Sequence, residues 1–209
     1  MAVVLCLAAC GSSSQGQPTA GFTEHHSDGM HGAVLAEQYR LPNVSLTSTE
    51  NTSYSLTKDT TEPVTLAFFG YTHCPDICQV VMADIASAIT RLGDADRERV
   101  GMLFITTDPA RDDPAALRAY LDRFNPSFEG LTGDLASIVR VADRLGVSIE
   151  EGAKLPSGGY EVAHGTQIVA IDRSNRVPLV WTEGTPAGDL AADITTLLRS
   201  GVPTDGSTP

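Results

Sequence analysis

The chain has 209 residues, 42% hydrophobic and 19% charged, enough for one well-buried domain and too little for two ordinary ones. Lys and Arg number 14 against 26 Asp and Glu, and the net charge of −12 repels phosphate backbones, which argues against a nucleic-acid partner. No apolar run approaches the roughly 20 residues that span a bilayer, and four cysteines are too few for a disulfide-built miniprotein.

The N-terminus, Met1–Ala9, is almost wholly apolar. Leu7-Ala8-Ala9-Cys10 resembles a bacterial lipobox, which implies a signal peptide over residues 1–9 and lipidation of Cys10. Acyl chains then anchor a chain that does not span. The domain is expected outside the cytoplasm, on the outer face of the bacterial cell membrane, where thiols can be oxidised. No Lys or Arg precedes the apolar stretch as in signal peptides, which leaves room for a start upstream of Met1. The plainer alternative is a frayed apolar terminus with an incidental cysteine. Residues 10–33 are rich in Gly, Ser, Gln and His and read as a flexible tether.

A globular domain is expected over residues 34–200. Arg40–Leu46 and Ser53–Leu56 alternate weakly around Glu50-Asn51 and suggest a β-hairpin. Val64–Tyr71 is a short apolar run that reads as a buried strand. Pro75 can open a helix whose apolar stripe runs to Leu92, with Gly93 as its stop. Val100–Thr106 reads as a second buried strand. Asp113 caps a helix that begins at Pro114, and Asp134 caps Leu135–Leu145, which ends at Gly146. Gln167–Asp172 and Val177–Thr182 flank the turn Arg173–Arg176 as a hairpin, Ala187–Arg199 closes the domain as a helix, and residues 201–209 read as a disordered tail. Strands alternating with helices imply an α/β fold, a central mixed sheet flanked by helices with an N-terminal β-hairpin. A cysteine pair at a helix start after a strand, with a closing hairpin and helix, suggests a thioredoxin-like fold.

If Cys6 leaves with the signal peptide and Cys10 carries lipid, only Cys74 and Cys78 remain, in a C-x-x-x-C spacing. Cys74 precedes proline and is pushed out of the α region into the loop. Cys78 is expected about one turn inside the helix, whose positive end would lower its pKa and raise its reactivity. Helical positions four apart hold their Cβ atoms about 5–6 Å apart, whereas a relaxed disulfide wants roughly 3.5–4.5 Å. Such a pair suits a reducible disulfide or a pinch on a soft metal better than a permanent staple. A structural disulfide, which gains little from so small a loop, and two buried free thiols are the bland alternatives.

The run Phe68-Phe69-Gly70-Tyr71-Thr72-His73-Cys74-Pro75-Asp76-Ile77-Cys78 resembles the signature of the Sco/SenC proteins, thioredoxin-fold copper proteins that assist assembly of cytochrome c oxidase. Thr107-Asp108-Pro109-Ala110-Arg111-Asp112 resembles the family's D-P-x-R-D segment, and Val162-Ala163-His164-Gly165-Thr166 its late histidine segment. The likeness runs over about residues 32–200, in the family's order. Gln79 departs from it, standing where the family usually has proline, at a position without a ligand role.

The resemblance implies one copper ion, Cu(I) or Cu(II), held by Cys74, Cys78 and His164. Thiolates and imidazole select soft or borderline metals, and spacing alone does not choose between copper and zinc, although zinc wants a fourth ligand. His164 by itself reads as an exposed loop histidine. In thioredoxin-like proteins the loop before the penultimate strand faces the redox cysteines, and His164 is expected in that loop. Asp108 reads either as an acceptor that orients a ligand or as a cap for the loop at Pro109. Arg111 and Asp112 are expected as a loop ion pair or helix entry, and His73 as solvent-facing. His25, His26, Met30 and His31 offer donors that could capture copper in transit, although a polar linker with incidental histidines accounts for them more simply.

The leading expectation is a membrane-tethered metallochaperone, monomeric, that serves the binuclear copper site of cytochrome c oxidase subunit II or another copper or thiol protein. The competing expectation is an enzyme, a metal-free thiol-disulfide oxidoreductase that needs the redox pair Cys74 and Cys78 but not His164. A copper-dependent redox sensor is a third, weaker reading.

Overall fold

The computed structural model describes residues 24–25, 29–154 and 160–202, with side chains over residues 29–149 and 164–202. In chain order the elements are β1 (Glu24–His25), β2 (Ala33–Arg40), β3 (Ser45–Ser48), β4 (Ser53–Ser55), α1 (Leu56–Asp59), β5 (Val64–Gly70), α2 (Ile77–Arg91) and α3 (Asp94–Arg97). There follow β6 (Val100–Thr106), α4 (Pro114–Leu121), β7 (Glu129–Thr132), α5 (Leu135–Arg144), β8 (Ile149–Lys154), β9 (Tyr160–His164), β10 (Ile168–Asp172), β11 (Arg176–Trp181) and α6 (Ala187–Ser200). Among the described residues, one mixed sheet runs β1-β2-β11-β10-β5-β6-β7-β3-β4, and β8 and β9 form a separate antiparallel hairpin. No helix among the described residues is long and apolar enough to cross a membrane.

Strand β5 lies at the centre, parallel to β6 and antiparallel to β10. All seven of its residues are buried, as a run that is apolar but for Thr65 requires when both sheet faces are covered. Its side chains alternate between two layers. Val64, Leu66 and Phe68 pack with α2, α4 and α6, while Ala67 and Phe69 pack with α5 and Leu56. On α2, Cys78, Val81, Met82, Ile85, Ala88 and Ile89 form the buried stripe, at the three- and four-residue spacing of one helix face. The capping aspartates act as the sequence suggests: Asp113 accepts from Ala116 N at 2.7 Å and Asp134 from Ser137 N at 2.8 Å.

The mixed α/β, thioredoxin-like architecture is the expected one, and several local readings are corrected. The N-terminal hairpin is β3–β4, shorter than Arg40–Leu46 with Ser53–Leu56, and it adds to the sheet edge through β7. Leu56 begins the short helix α1 rather than ending a strand. Ordered chain extends N-terminal of residue 34: β2 pairs with β11, and Glu24–His25 pairs with β2. Cys10, His26 and residues 203–209 lie outside the described residues, as does most of the segment read as a tether. Helix α2 starts at Ile77, two residues after Pro75, and the hairpin β8–β9 was not legible in a stretch rich in Gly and Glu.

Candidate metal-binding and thiol site

The site sits where β5 ends. Gly70 closes the strand, residues 71–76 turn, and α2 begins. The turn is tied at both sides. Cys74 N donates to Tyr71 O at 3.1 Å, and Thr107 N donates to Gly70 O at 2.7 Å. Asp76 occupies the helix cap position, but its side chain makes no cap bond. The Cys74 sulfur takes that place, accepting from Cys78 N at 3.4 Å. A free N–H of the first helical turn, part of the positive end of the helix, is thus aimed at Cys74 rather than Cys78.

Cys78 is the second residue of α2, not one turn in, and it is fully buried; Cys74 is 6% exposed. Both are free thiols. The expected lowering of the Cys78 pKa does not hold. Burial, followed by its hydrogen bond with Cys74, pushes the Cys78 thiol well above its ordinary value. Desolvation outweighs the helix dipole here because a thiolate in this apolar layer loses its water on every side. The layer leaves no slack: a Cβ placed on Gly70 would lie 3.1 Å from Cys78 Sγ, 3.1 Å from Phe68 Cε1 and 3.0 Å from Phe104 Cε2.

His164 is the last residue of β9 rather than part of a loop, four residues before β10 begins at Ile168. It arrives at the cysteines from 86 positions away, with Nε2 3.8 Å from Cys78 Sγ. Its Nδ1 lies 3.0 Å from Gly165 O. A carbonyl only accepts, so Nδ1 carries the proton and Nε2 presents a bare lone pair to the sulfur. Burial holds the His164 pKa below the ordinary imidazole value, so the ring is neutral at pH 7. Phe68 and Tyr71 hold it edge-on, each with ring centroids 6.2 Å away.

The donor set fits a soft metal. A sulfur and an imidazole nitrogen bound to one ion at about 2.3 and 2.0–2.1 Å, roughly 120° apart, stand about 3.8 Å from each other. That is the Cys78–His164 separation. Among the described residues no three His, Cys, Asp or Glu side chains already enclose a metal-binding point, so closing the set on an ion requires a side-chain adjustment.

Asp108 touches none of the three donors. Its carboxylate pairs with Arg111, and its carbonyl accepts from Arg111 N and Asp112 N, which makes it a cap of the loop at Pro109. Arg111 in turn lies over the Tyr71 ring at 5.9 Å, and Tyr71 packs on His164. Asp108 is therefore linked to the site through Arg111 and Tyr71.

The Arg111–Asp112 ion pair does not form. Asp112 is fully buried and accepts from Thr72 N at 2.9 Å, Thr72 Oγ1 at 2.6 Å and Thr106 Oγ1 at 2.7 Å. It staples the cysteine loop to the end of β6. Nothing local marks Asp112 for this role, since it depends on the parallel pairing of β5 and β6. His73 is 59% exposed, as expected of a solvent-facing residue, and its Nδ1 lies 2.9 Å from Thr72 Oγ1.

Of the proposed capture cluster, Met30 packs against the core and His31 is engaged elsewhere. His31 N and Gly32 N donate to the buried Asp193 carboxylate, which also takes His31 Nδ1 at 2.9 Å and Trp181 Nε1 at 2.8 Å. The His25 side chain and His26 are outside the described residues.

The chain is similar to proteins of known kind. It is 32% identical over 131 residues to protein sco1 of Schizosaccharomyces pombe, covering 62% of this chain and 50% of that protein. The chain spans 36% of the length of the mitochondrial SCO2 protein of Saccharomyces cerevisiae, 35% identical over 108 residues. The structure of Bradyrhizobium japonicum ScoI with copper bound superposes with a TM-score of 0.64 at 31% identity, covering 76% of this chain and 96% of that one. Apo Sco1 from Thermus thermophilus superposes with a TM-score of 0.72 at 26% identity, covering 86% and 99%. The SCO1/SenC family model matches residues 42–199, and with that span covered the chain belongs to the SCO1/SenC family.

Proposed function

We propose that this protein is an extracytoplasmic copper metallochaperone, tethered through a lipid on Cys10, that carries one copper ion as cargo on Cys74, Cys78 and His164. The observation that carries this reading is the bare Nε2 of His164 held 3.8 Å from Cys78 Sγ, with its other nitrogen committed to Gly165 O. The copper-bound structure of a relative at 31% identity supports copper as the cargo. Delivery goes to the thiolate-rich binuclear copper site of cytochrome c oxidase subunit II.

The chain's own residues divide the work. His164 supplies a neutral nitrogen without giving up a proton. Cys78 is protonated while metal-free, so loading expels its proton. Cys74, at the entrance of the helix, is the ligand that an incoming thiolate would displace from the ion, and ligands exchange one at a time so that the ion is never free. Asp112, Arg111 and Tyr71 hold the loop and the ring in place.

The alternative is a thiol-disulfide reductase that uses the two cysteines without metal, favoured by their proximity as free thiols and by a related Sco protein in which a disulfide switch was identified. Anaerobic titration of the reduced chain with Cu(I) and Cu(II), on wild type, Cys74→Ala/Cys78→Ala and His164→Ala, separates the two. Tight one-to-one binding with thiolate-to-copper absorption, lost in the cysteine variant and impaired in His164→Ala, is expected. Absence of binding by wild type, with the cysteines still exchanging with glutathione, would make the chain a reductase instead.

A further inference from the structure

His164 reaches Cys78 from a hairpin that stands outside the main sheet, so its aim depends on what fixes the base of that hairpin. Beyond the pair Ile149–His164 the two chains stay in register, and Gly165 N donates to Ser148 O at 2.9 Å. One rung further a side chain takes the place of the backbone: Gln167 Nε2 donates to Gly146 O at 2.9 Å. Gly146 follows the end of α5 with φ +71°, the left-handed conformation that glycine adopts without strain. The Tyr39 ring fills the space beside it, 2.8 Å from where a Cβ would stand. The acceptor of the Gln167 amide is therefore itself fixed.

The same amide lies over Gly165. A Cβ on Gly165 would stand 2.3 Å from Gln167 Oε1 and 3.0 Å from its Cδ, so the buried Gln167 side chain occupies the room that any larger residue at 165 needs. Gly165 O in turn is the acceptor for His164 Nδ1–H at 3.0 Å. Three contacts thus run in series from the end of α5 to the imidazole. Gly146 O holds the Gln167 amide, the amide lies on Gly165, and the Gly165 carbonyl holds the proton of His164. The series is rooted in the main sheet, because Ile168 opens β10 and pairs with Trp181 of β11.

We propose that Gln167 is a positioning residue that acts through Gly165 to set the tautomer of His164 and the direction of its Nε2 lone pair. It is not a ligand. A ring released from the Gly165 carbonyl is free to carry its proton on Nε2, which removes the lone pair that faces Cys78. The inference rests on the copper reading above for its consequence, since the nitrogen so aimed is the proposed copper ligand. The placing of the proton is a property of the metal-free chain.

The test compares the full reduced chain with Gln167→Met, which keeps the length of the side chain and cannot donate. The proton on the His164 ring is located without metal by nitrogen-15 NMR, its signals assigned by their absence in His164→Ala. Cu(I) affinity is then measured by competition with a chelator. Wild type is expected to carry the proton on Nδ1. In Gln167→Met a population with the proton on Nε2 is expected, with Cu(I) affinity about tenfold weaker, the low end of what groups behind a metal ligand contribute. Gly165→Ala, whose methyl displaces the Gln167 amide, is expected to shift the proton in the same way, and the double variant to go no further than either single one. If Gln167→Met does not fold, Gly165→Ala alone decides by the same signal. A variant ring that keeps its proton wholly on Nδ1 overturns the inference even where affinity or Tm falls, since a loss of packing alone leaves the tautomer in place. Additive effects of the two substitutions, or a wild type with its proton on Nε2, overturn it as well. A wild type that binds no copper overturns the copper reading, and the metal-free tautomer then still decides the role of Gln167.

Discussion

Replacing Asp112 separates the shape of the staple from its charge. In Asp112→Ala the Thr72 N–H loses its acceptor inside the protein, at about 1–3 kcal/mol, and the two hydroxyl bonds to the carboxylate are lost with it. The hydroxyls can turn elsewhere and a buried charge is removed, so the net destabilisation comes to about 4 kcal/mol. In Asp112→Asn the amide has a workable orientation. Its oxygen stands where Oδ2 accepts from Thr72 N and Thr106 Oγ1, and its NH2 donates to Thr72 Oγ1. Only the charge assistance is lost, about 1–2 kcal/mol. Urea unfolding of the reduced chain, followed by the fluorescence of the lone tryptophan Trp181, reads both values. In thermal unfolding about 4 kcal/mol corresponds to roughly 8–16 °C for a chain of this length. An Ala variant within about 1 kcal/mol of wild type, or an Asn variant as unstable as Ala, would show that Asp112 does not hold the loop.

Two further perturbations follow from the packing and the ionic contacts. Gly70→Ala places a methyl 3.0–3.1 Å from Phe104, Phe68 and Cys78 Sγ, so it costs about 1–3 kcal/mol and displaces the sulfur that faces His164. Its Tm and copper affinity should both fall, and a variant equal to wild type in both would contradict the tight fit. The hydrogen bond to Asp193, reinforced by the charges of Asp193 and Asp189, raises the His31 pKa above 6.5 against the opposing effect of desolvation. Stability from protonated His31 is therefore fully present below about pH 6.5 and is lost as pH rises through the raised value. His31→Gln should trail wild type most at acid pH and converge on it at alkaline pH; a gap that widens with pH would refute the assignment.

Much of this molecule was readable along the chain because the relevant physics is local. The apolar runs of β5 and β6, the Asp113 and Asp134 caps, and the turn at Arg173–Asn175 between β10 and β11 depend on neighbours within a few residues. The C-x-x-x-C pair after a buried strand and the late histidine were likewise visible as motifs, and their resemblance to one family pointed to the fold. Strand β2 was missed because its buried residues are only Val34 and Leu35, side by side, with no alternation to mark it. What makes it a strand is the free edge of β11.

The tertiary structure decided the chemistry. Sequence placed Cys78 near a helix start and so favoured an acidic thiol, but burial against the sheet made it a weak acid instead. Sequence named Asp112 and could not know that parallel pairing of β5 with β6 would bury it beneath Thr72. The meeting of His164 with Cys78, and the tautomer that turns its lone pair toward the sulfur, belong to the same class. The amino-acid sequence thus determined which donor atoms the protein owns and on which local elements they ride. Their protonation and their spacing came from the assembled core, because dielectric and distance are properties of neighbours in space.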